Sequence, residues 1–182
     1  MFKNGKFARC CLFAGCLIIV IIASDFRIMR VTSLSMEPAF HSGNYVLVEL
    51  VGSEAGGSSL MAPKLRRGDV IIFHAPYNEN QFLIKRVIAV AGDRIRIFRG
   101  RLLLDGIAQS DSHAYYADPS SAFWPTDWNS HGARDILISS GHYFVMGDNR
   151  DVSLDSRDWG FLPSDDVIGI VRLDLTHLEL SW

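Results

Sequence analysis

The chain beyond residue 25 is assembled from short β-type runs, and this pattern limits its possible folds more than any other feature. The runs are rich in Val, Ile, Leu, Phe and Tyr, and Gly, Pro and Asp separate them. No stretch repeats its apolar residues about every 3.6 positions, as a long amphipathic helix would. Strands are therefore predicted over Tyr45–Val51, Asp69–His74, Phe82–Val90, Arg94–Phe98, Arg101–Leu104, His142–Met146 and Val167–Leu175. Short strands in a meandering order predict a mainly β domain with a barrel-like sheet.

Two sharp turns are predicted in the sequence RIRIFRGRLLLDG, which begins at Arg94. Its strand-like halves flank Arg99 and Gly100, and this arrangement indicates a β-hairpin. A second turn is expected at Asp105 and Gly106, because Asp-Gly is a favoured pair at the tip of a two-residue hairpin loop.

Two irregular stretches interrupt the strands. Residues 52–63 are rich in Gly and Ser and are interpreted as a flexible insertion. Residues 110–135 are polar, rich in aromatic residues and broken by Pro119 and Pro125. This second stretch is long enough to form a small cap over a site, and a surface excursion without a role is the other interpretation.

An uncharged apolar run, Cys10–Ser24, precedes the β-type part of the chain. A helix over this run would span about 22 Å, and one that begins at Phe7 about 27 Å, against a hydrocarbon core of about 30 Å. A membrane anchor over residues 10–26 is favoured over a cleaved secretion signal, because the sequence up to Ala23 matches the small-x-small cleavage pattern poorly. A buried core helix is a third interpretation.

The charges around this run predict its orientation. Three basic residues precede it, Lys3, Lys6 and Arg9. Positive charge tends to stay on the cytoplasmic side, so residues 1–9 are expected in the cytoplasm and residues 27–182 on the outer face. Arg27 and Arg30 weaken this bias without reversing it.

Composition excludes several classes of partner and cofactor. The chain has 18 Lys and Arg against 20 Asp and Glu, a net charge of −2, so no overall field favours nucleic acid. All three cysteines lie in the apolar run, so no disulfide framework is expected elsewhere. The alternating polar residues 151–155 resemble the start of a calcium loop, but Ser156 and Leu162 replace the glycine and glutamate that such a loop needs. Neither a metal nor a cofactor is predicted.

Four sequence segments occur in the same order as the conserved motifs of one enzyme family. Together they resemble the type I signal peptidases, which cleave with a Ser-Lys pair. The segments are SLSMEP at 33–38, RGDVIIF at 67–73, KRV at 85–87 with the Gly-Asp pair at 92–93, and GDNRD at 147–151 continuing to Gly160. The resemblance implies a signal-peptidase-like β-barrel or β-sheet catalytic domain behind one transmembrane helix.

The resemblance assigns the reacting groups to two ordinary residues. Ser35 is expected on a non-helical turn, because Pro38 disfavours helix at Glu37. Lys85 lies between apolar residues, and its burial would lower the pKa from about 10.4 toward about 8. By resemblance, Ser35 is the nucleophile and Lys85 the general base. Ser33 and the backbone N–H of Ser35 would then stabilise the oxyanion.

Further residues are assigned to support and specificity by the same resemblance. Ser153 matches the position that orients the catalytic lysine, Asp155 and Arg157 match a supporting ion pair, and Asp148 belongs to the same group. The walls of the pocket for small substrate side chains match Met36, Phe40 and Ile84. A substrate backbone is expected to add beside the site as an extended strand.

The implied function is that of a single-pass serine endopeptidase in the bacterial inner membrane. It would remove N-terminal signal peptides from exported precursor proteins after small residues, with precursors and membrane lipid as partners. Ala39 stands where the family usually has threonine. Three alternatives stay open: a specialised conjugative-transfer or pilin-processing peptidase, a Ser-His-Asp hydrolase, and an anchored binding protein without activity.

Overall fold

The computed structural model describes residues 25–51, 64–98, 101–117 and 135–176. The predicted anchor at 10–26, apart from its last two residues, and the insertion at 52–63 lie outside this part of the chain. So do residues 118–134 of the excursion. In the described ranges, no helix has the length and apolar character needed to cross a membrane.

The described chain is mainly β, as predicted. All the predicted strands are present, with ends shifted by a few residues. The structure also contains further short strands that were not predicted. The strands are β1 Phe26–Arg30, β2 Tyr45–Leu50, β3 Val70–Ala75, β4 Asn78–Ala89, β5 Arg94–Phe98, β6 Arg101–Leu104, β7 Ile107–Ala108, β8 Ile136–Leu137, β9 His142–Met146, β10 Leu162–Pro163 and β11 Val167–Asp174. The helical elements in these ranges are α1 at Ser156–Trp159 and a 3₁₀ turn at Ser164–Asp166.

The strands form two antiparallel sheets. The larger sheet has the order β1-β2-β11-β3-β4-β9-β10 and the smaller one the order β7-β6-β5-β8. Within the described residues no pairing joins β1 to β10, so the larger sheet lacks the hydrogen-bonded closure of a true barrel. Four antiparallel steps separate β1 from β4, and these two strands therefore run in the same direction.

The antiparallel pairing predicted for the first hairpin is present, and the second turn is confirmed. Strands β5 and β6 pair up to Phe98 and Arg101, and the two residues between them lie outside the described part of the chain. Strands β6 and β7 are joined by Asp105 and Gly106, whose φ angles of 52° and 78° are both positive. Positive φ at both central residues is the signature of a type I′ turn, which matches the twist of the strands it joins.

Strand β4 passes from solvent into the core and so carries side chains to the interior. Its first residues are exposed, and from Ile84 to Ala89 every residue is buried. Its alternating side chains pack into different apolar clusters, because Ile84 joins Val31 and Val46 whereas Val87 packs with residues of β3 and β9. Lys85 and Arg86 follow Ile84, where the strand becomes buried. Because they are neighbours in a strand, their side chains point to opposite faces of the sheet.

Candidate active site

Ser35 lies in the loop that joins β1 to β2. The loop is folded into consecutive turns, in which Glu37 N–H donates to the Leu34 carbonyl at 3.2 Å and Phe40 N–H to the Met36 carbonyl at 2.9 Å. Met36 is fully buried in the cluster that contains Ile84. The buried methionine anchors the loop beside Ile84 of β4. The adjacent Ser35 is therefore held close to the core and is itself buried.

Lys85 contacts Ser35 directly. The Lys85 Nζ atom lies 2.5 Å from Ser35 Oγ, although the two residues are 50 positions apart in sequence. Lys85 is only 2% exposed and Ser35 8%. Burial lowers the pKa of Lys85 from 10.5 to about 8, against the opposing attraction of Asp155. A neutral amine is therefore accessible near physiological pH, and in that form the Ser35 hydroxyl donates to Nζ.

Ser33 places a second hydroxyl beside that of Ser35. The Ser33 Oγ and Ser35 Oγ atoms are 3.1 Å apart, and Ser33 is half-buried. If Ser35 Oγ bonded to a carbonyl carbon, the carbonyl oxygen would gain negative charge. A hydroxyl at the position of Ser33 could donate a hydrogen bond to that oxygen.

Gly147 brings the segment after β9 against the loop that contains Ser35. A Cβ atom at this position would lie 2.4 Å from the Ser35 carbonyl oxygen and 2.3 Å from Ser153 Oγ. Its backbone N–H donates to Ser153 Oγ at 3.2 Å and to Asp155 Oδ2 at 3.0 Å. The close approach of these groups requires glycine, because a real Cβ does not tolerate such distances.

Asp155 and Arg157 form the predicted ion pair. Arg157 Nε donates to Asp155 Oδ1 at 2.8 Å, and Nη2 donates to Oδ2 at 2.9 Å. The Asp155 carboxylate also caps the first turn of α1, where it accepts from Arg157 N–H. Arg157 Nη2 further donates to the carbonyls of Arg150 and Ser153. These bonds fix the path of the chain from Arg150 to Arg157.

Ser153 lies in this cluster but makes a different contact from the one predicted. Its hydroxyl accepts from Gly147 N–H, and among the described residues the hydrogen-bond partner of Lys85 Nζ is Ser35. Ser153 therefore binds Gly147, and Gly147 in turn lies against the Ser35 carbonyl. The predicted role of Ser153 toward Lys85 stays a prediction.

Arg86 is a site-organising residue whose partner was not apparent from the sequence. Its Nε and Nη2 atoms donate to the two oxygens of Asp148 at 2.8 and 2.6 Å, and Asp148 is fully buried. Nη1 donates to the Gly68 carbonyl at 2.9 Å. Because Arg86 directly follows Lys85, this pair ties the lysine strand to the Gly147 segment and to the turn before β3.

Asn149 is a second residue that the sequence analysis missed. Its backbone N–H donates to the Ser35 carbonyl at 3.0 Å, and its Nδ2 atom donates to the Leu34 carbonyl at 3.3 Å. The only sequence signal was its position inside the GDNRD segment. These bonds hold the Ser35 loop through its backbone.

A cleft of about 560 Å³ opens beside Ser33. The end of β1 with Val31, Thr32 and Ser33 forms one wall, and the exposed half of β4 up to Ile84 forms the other. Of the predicted wall residues, Ile84 lines this cleft. Met36 is buried in the apolar core, and Phe40 packs against the same cluster.

In the described ranges, no group of three or more His, Cys, Asp or Glu side chains is placed to hold a metal.

Comparisons with known proteins point to one family. The family model described as "Signal peptidase, peptidase S26" matches residues 5–176. The chain is 32% identical to Signal peptidase IB of Staphylococcus aureus over 163 residues, which cover 85% of this chain and 81% of the relative. It is 30% identical to the chloroplastic Thylakoidal processing peptidase 1 of Arabidopsis thaliana over 76% of this chain and 38% of that one. A crystal structure of a signal peptidase I from Enterococcus faecalis aligns with 62% of this chain and all of that one, at 25% identity and a TM-score of 0.45.

Proposed function

The chain belongs to the peptidase S26 signal peptidase family, and from this premise we propose that Ser35 is its nucleophile and Lys85 its general base. The enzyme is a signal peptidase I, a serine endopeptidase that removes signal peptides. The contact of 2.5 Å between Lys85 Nζ and Ser35 Oγ carries the assignment, because a serine needs an adjacent base to become nucleophilic. Burial of Lys85 supplies the neutral amine that this base requires.

The reaction follows from these two groups. Ser35 Oγ attacks the carbonyl carbon of the bond to be cut while Lys85 Nζ takes the hydroxyl proton. The tetrahedral intermediate collapses, and the protonated Lys85 gives its proton to the leaving amine of the mature protein. A water molecule then attacks the ester on Ser35 while Lys85 Nζ takes a proton from that water. When the second tetrahedral intermediate collapses, Lys85 returns the proton to Ser35 Oγ, which restores the serine and releases the signal peptide with a new carboxyl end.

Ser33 is proposed to donate to the oxyanion together with the backbone N–H of Ser35. Its hydroxyl lies 3.1 Å from the attacking oxygen, on the side where the cleft opens. Donors placed before the reaction stabilise charge that develops in the transition state, and one such donor is typically worth about a hundredfold or more in rate.

The proposed substrate is an extended segment laid between β1 and β4. Strand β9 pairs with β4 only from Arg86 onward, so the β4 edge over Asn78–Lys85 has no strand partner on that side in the described residues. The cleft lies along this edge and ends at Ser33. An added strand would take main-chain hydrogen bonds from β4, and side-chain size near Ile84 would limit the substrate to small residues.

The proposed location is the bacterial inner membrane, with residues 10–26 as a single anchor. The uncharged run and the basic residues before it support this arrangement. It places residues 1–9 in the cytoplasm and the catalytic domain, residues 27–182, on the outer face. A catalytic domain tethered there would meet exported precursors as their signal peptides lie in the lipid.

The assignment is tested with the full-length protein in detergent and an exported precursor. We expect Ser35→Ala and Lys85→Ala to abolish detectable cleavage. Ser42→Ala, an exposed serine of the same loop, and Lys64→Ala, an exposed lysine, serve as matched controls and should cleave normally. Precursor cleavage that survives in either site variant would refute the Ser-Lys assignment.

A further inference from the structure

The start of the excursion, residues 111–117, packs against the turn formed by residues 147–151. Tyr115 and Asn149 form a parallel β-bridge. Tyr115 N–H donates to the Asp148 carbonyl at 2.8 Å, and Arg150 N–H donates to the Tyr115 carbonyl at 3.0 Å. The segment and the turn are therefore joined by backbone hydrogen bonds in the manner of two paired strands.

Side chains add a tether at each end of this pairing. The Asp111 carboxylate forms an ion pair with the guanidinium of Arg150, which is only 3% exposed. Beyond Tyr115, Ala117 N–H donates to Asp151 Oδ2 at 2.6 Å. A charge as deeply buried as that of Arg150 needs its partner, so the Asp111 tether is the stronger of the two.

The opposite side of the same turn holds the nucleophile. Asn149 donates to the carbonyls of Leu34 and Ser35, and Arg150 Nε donates to the Gly147 carbonyl at 2.9 Å. The turn thus lies between the excursion on one side and the Ser35 loop on the other. A shift of Arg150 would move both Gly147 and Asn149, the residues that border the Ser35 carbonyl.

We propose that Asp111 is a positioning residue for the peptidase reaction: it holds Arg150, and through Arg150 the turn that sets Ser35 against Lys85. The inference rests on the proposed roles of Ser35 and Lys85. It gives the first part of the excursion a function in catalysis that is separate from substrate binding. The cleft between β1 and β4 is lined by none of residues 111–117. Loss of Asp111 therefore lowers kcat and leaves KM nearly unchanged.

The test compares steady-state cleavage of a precursor by the full-length wild type, Asp111→Asn and Asp135→Asn. The control removes a carboxylate near the other end of the excursion, which pairs with Arg96 of the smaller sheet and makes no described contact with the turn. We expect kcat of Asp111→Asn to fall between about tenfold and a hundredfold, since small misplacements of reacting groups have effects of this size. KM should change less than about twofold in both variants, and kcat of the control should match the wild type.

A double-mutant cycle separates positioning from general destabilisation. If Asp111 acts through Arg150, Asp111→Asn has no further effect on kcat in an Arg150→Met background. Additive losses, or a kcat of Asp111→Asn equal to that of the wild type, would overturn the proposal. If Asp111→Asn does not fold, Arg150→Lys tests the same ion pair. An unchanged kcat in that variant counts against the proposal, and a lower kcat at constant KM supports it. Inactive Ser35→Ala beside a fully active Asp111→Asn would reject this inference alone, whereas active Ser35→Ala would reject the proposed function.

Discussion

Lys85 Nζ and Ser35 Oγ lie 2.5 Å apart within a buried environment. With Lys85 as the proposed base, this contact links the rate of cleavage to the protonation of the lysine. The pKa of Lys85 is lowered to about 8, chiefly by burial. We expect kcat/KM to rise about tenfold per pH unit below this value and to level off above it, because only the neutral amine accepts the serine proton. Cleavage of one precursor peptide measured from about pH 6 to about pH 10 checks this. A profile that is flat across that range would contradict a lysine base, and Lys64→Ala should leave the midpoint in place.

The same burial predicts a stability cost for Lys85. A pKa lowered from 10.5 to about 8 corresponds to roughly 3 kcal/mol against the charged form. The folded protein binds fewer protons than the unfolded chain between these pH values, so the cost is full below about pH 8 and disappears as the pH rises to about 10.5. Lys85→Met should therefore stabilise the protein by about 1 to 3 kcal/mol at pH 7 while abolishing activity.

Urea unfolding at neutral and at alkaline pH measures this effect. The advantage of Lys85→Met should shrink toward zero near pH 10. Lys64→Met, at an exposed lysine, should stay within about 0.5 kcal/mol of the wild type at both pH values. A Lys85→Met variant less stable than the wild type at pH 7 would show that the lysine is better compensated in the folded state than its burial implies.

Gly147 permits a close backbone approach, and Gly147→Ala should displace Ser35. The added Cβ would lie 2.4 Å from the Ser35 carbonyl oxygen and 2.6 Å from Ser153 Cβ, so the loop must move. We expect kcat to fall by about a hundredfold or more in the folded variant. Gly169→Ala is the matched control, because its Cβ would meet Val48 and the Glu49 carbonyl at 2.5 and 2.6 Å, in strands β2 and β11 away from the serine. Both variants should lose stability, and only the first should lose kcat.

Asp148 neutralises the guanidinium of Arg86 inside the protein. Removal of one partner leaves an uncompensated buried charge, so Asp148→Asn should lower the free energy of unfolding by about 3 to 5 kcal/mol. Glu49→Gln, at the exposed pair with Arg172, should cost less than about 1 kcal/mol. Denaturant unfolding measures both changes. Equal losses in the two variants would indicate that the Arg86 pair contributes no more than a surface ion pair.

The strand pattern of this sequence predicted the fold well wherever a strand was long and partly buried. Strands β7, β8 and β10 were missed because two-residue strands carry no periodicity. Strand β1 was missed because its sequence, FRIMR, includes two arginines and mostly exposed positions at the edge of the sheet. Alternation and turn residues are local signals, and these strands depend on pairing with distant partners.

The candidate site, like the fold, was predicted from the sequence only in part. Burial of Lys85 was predicted from its apolar neighbours, but its contact with Ser35 joins positions 50 residues apart, and only the family resemblance connected them. Asn149 was missed because it acts on the Leu34 and Ser35 carbonyls, and backbone acceptors leave no trace in residue types. The contact of Tyr115 with the 147–151 turn was hidden for the same reason, since it is made through the main chain.

The side chain of Ile84 offers a direct test of the proposal that the cleft limits the substrate to small residues. Ile84 lines the cleft together with Ser33, and its truncation to alanine enlarges the space beside Ser33. A difference of one or a few methylene groups in an apolar pocket is worth about 1 to 3 kcal/mol. We therefore expect Ile84→Ala to raise kcat/KM for a peptide with leucine before the cut, relative to one with alanine, by about tenfold to a hundredfold. Val87→Ala is the control, because Val87 packs with the cluster on the opposite side of β4 and does not line the cleft, so its loss should reduce stability without altering that ratio. An unchanged leucine-to-alanine ratio in Ile84→Ala would remove this side chain from the determinants of specificity.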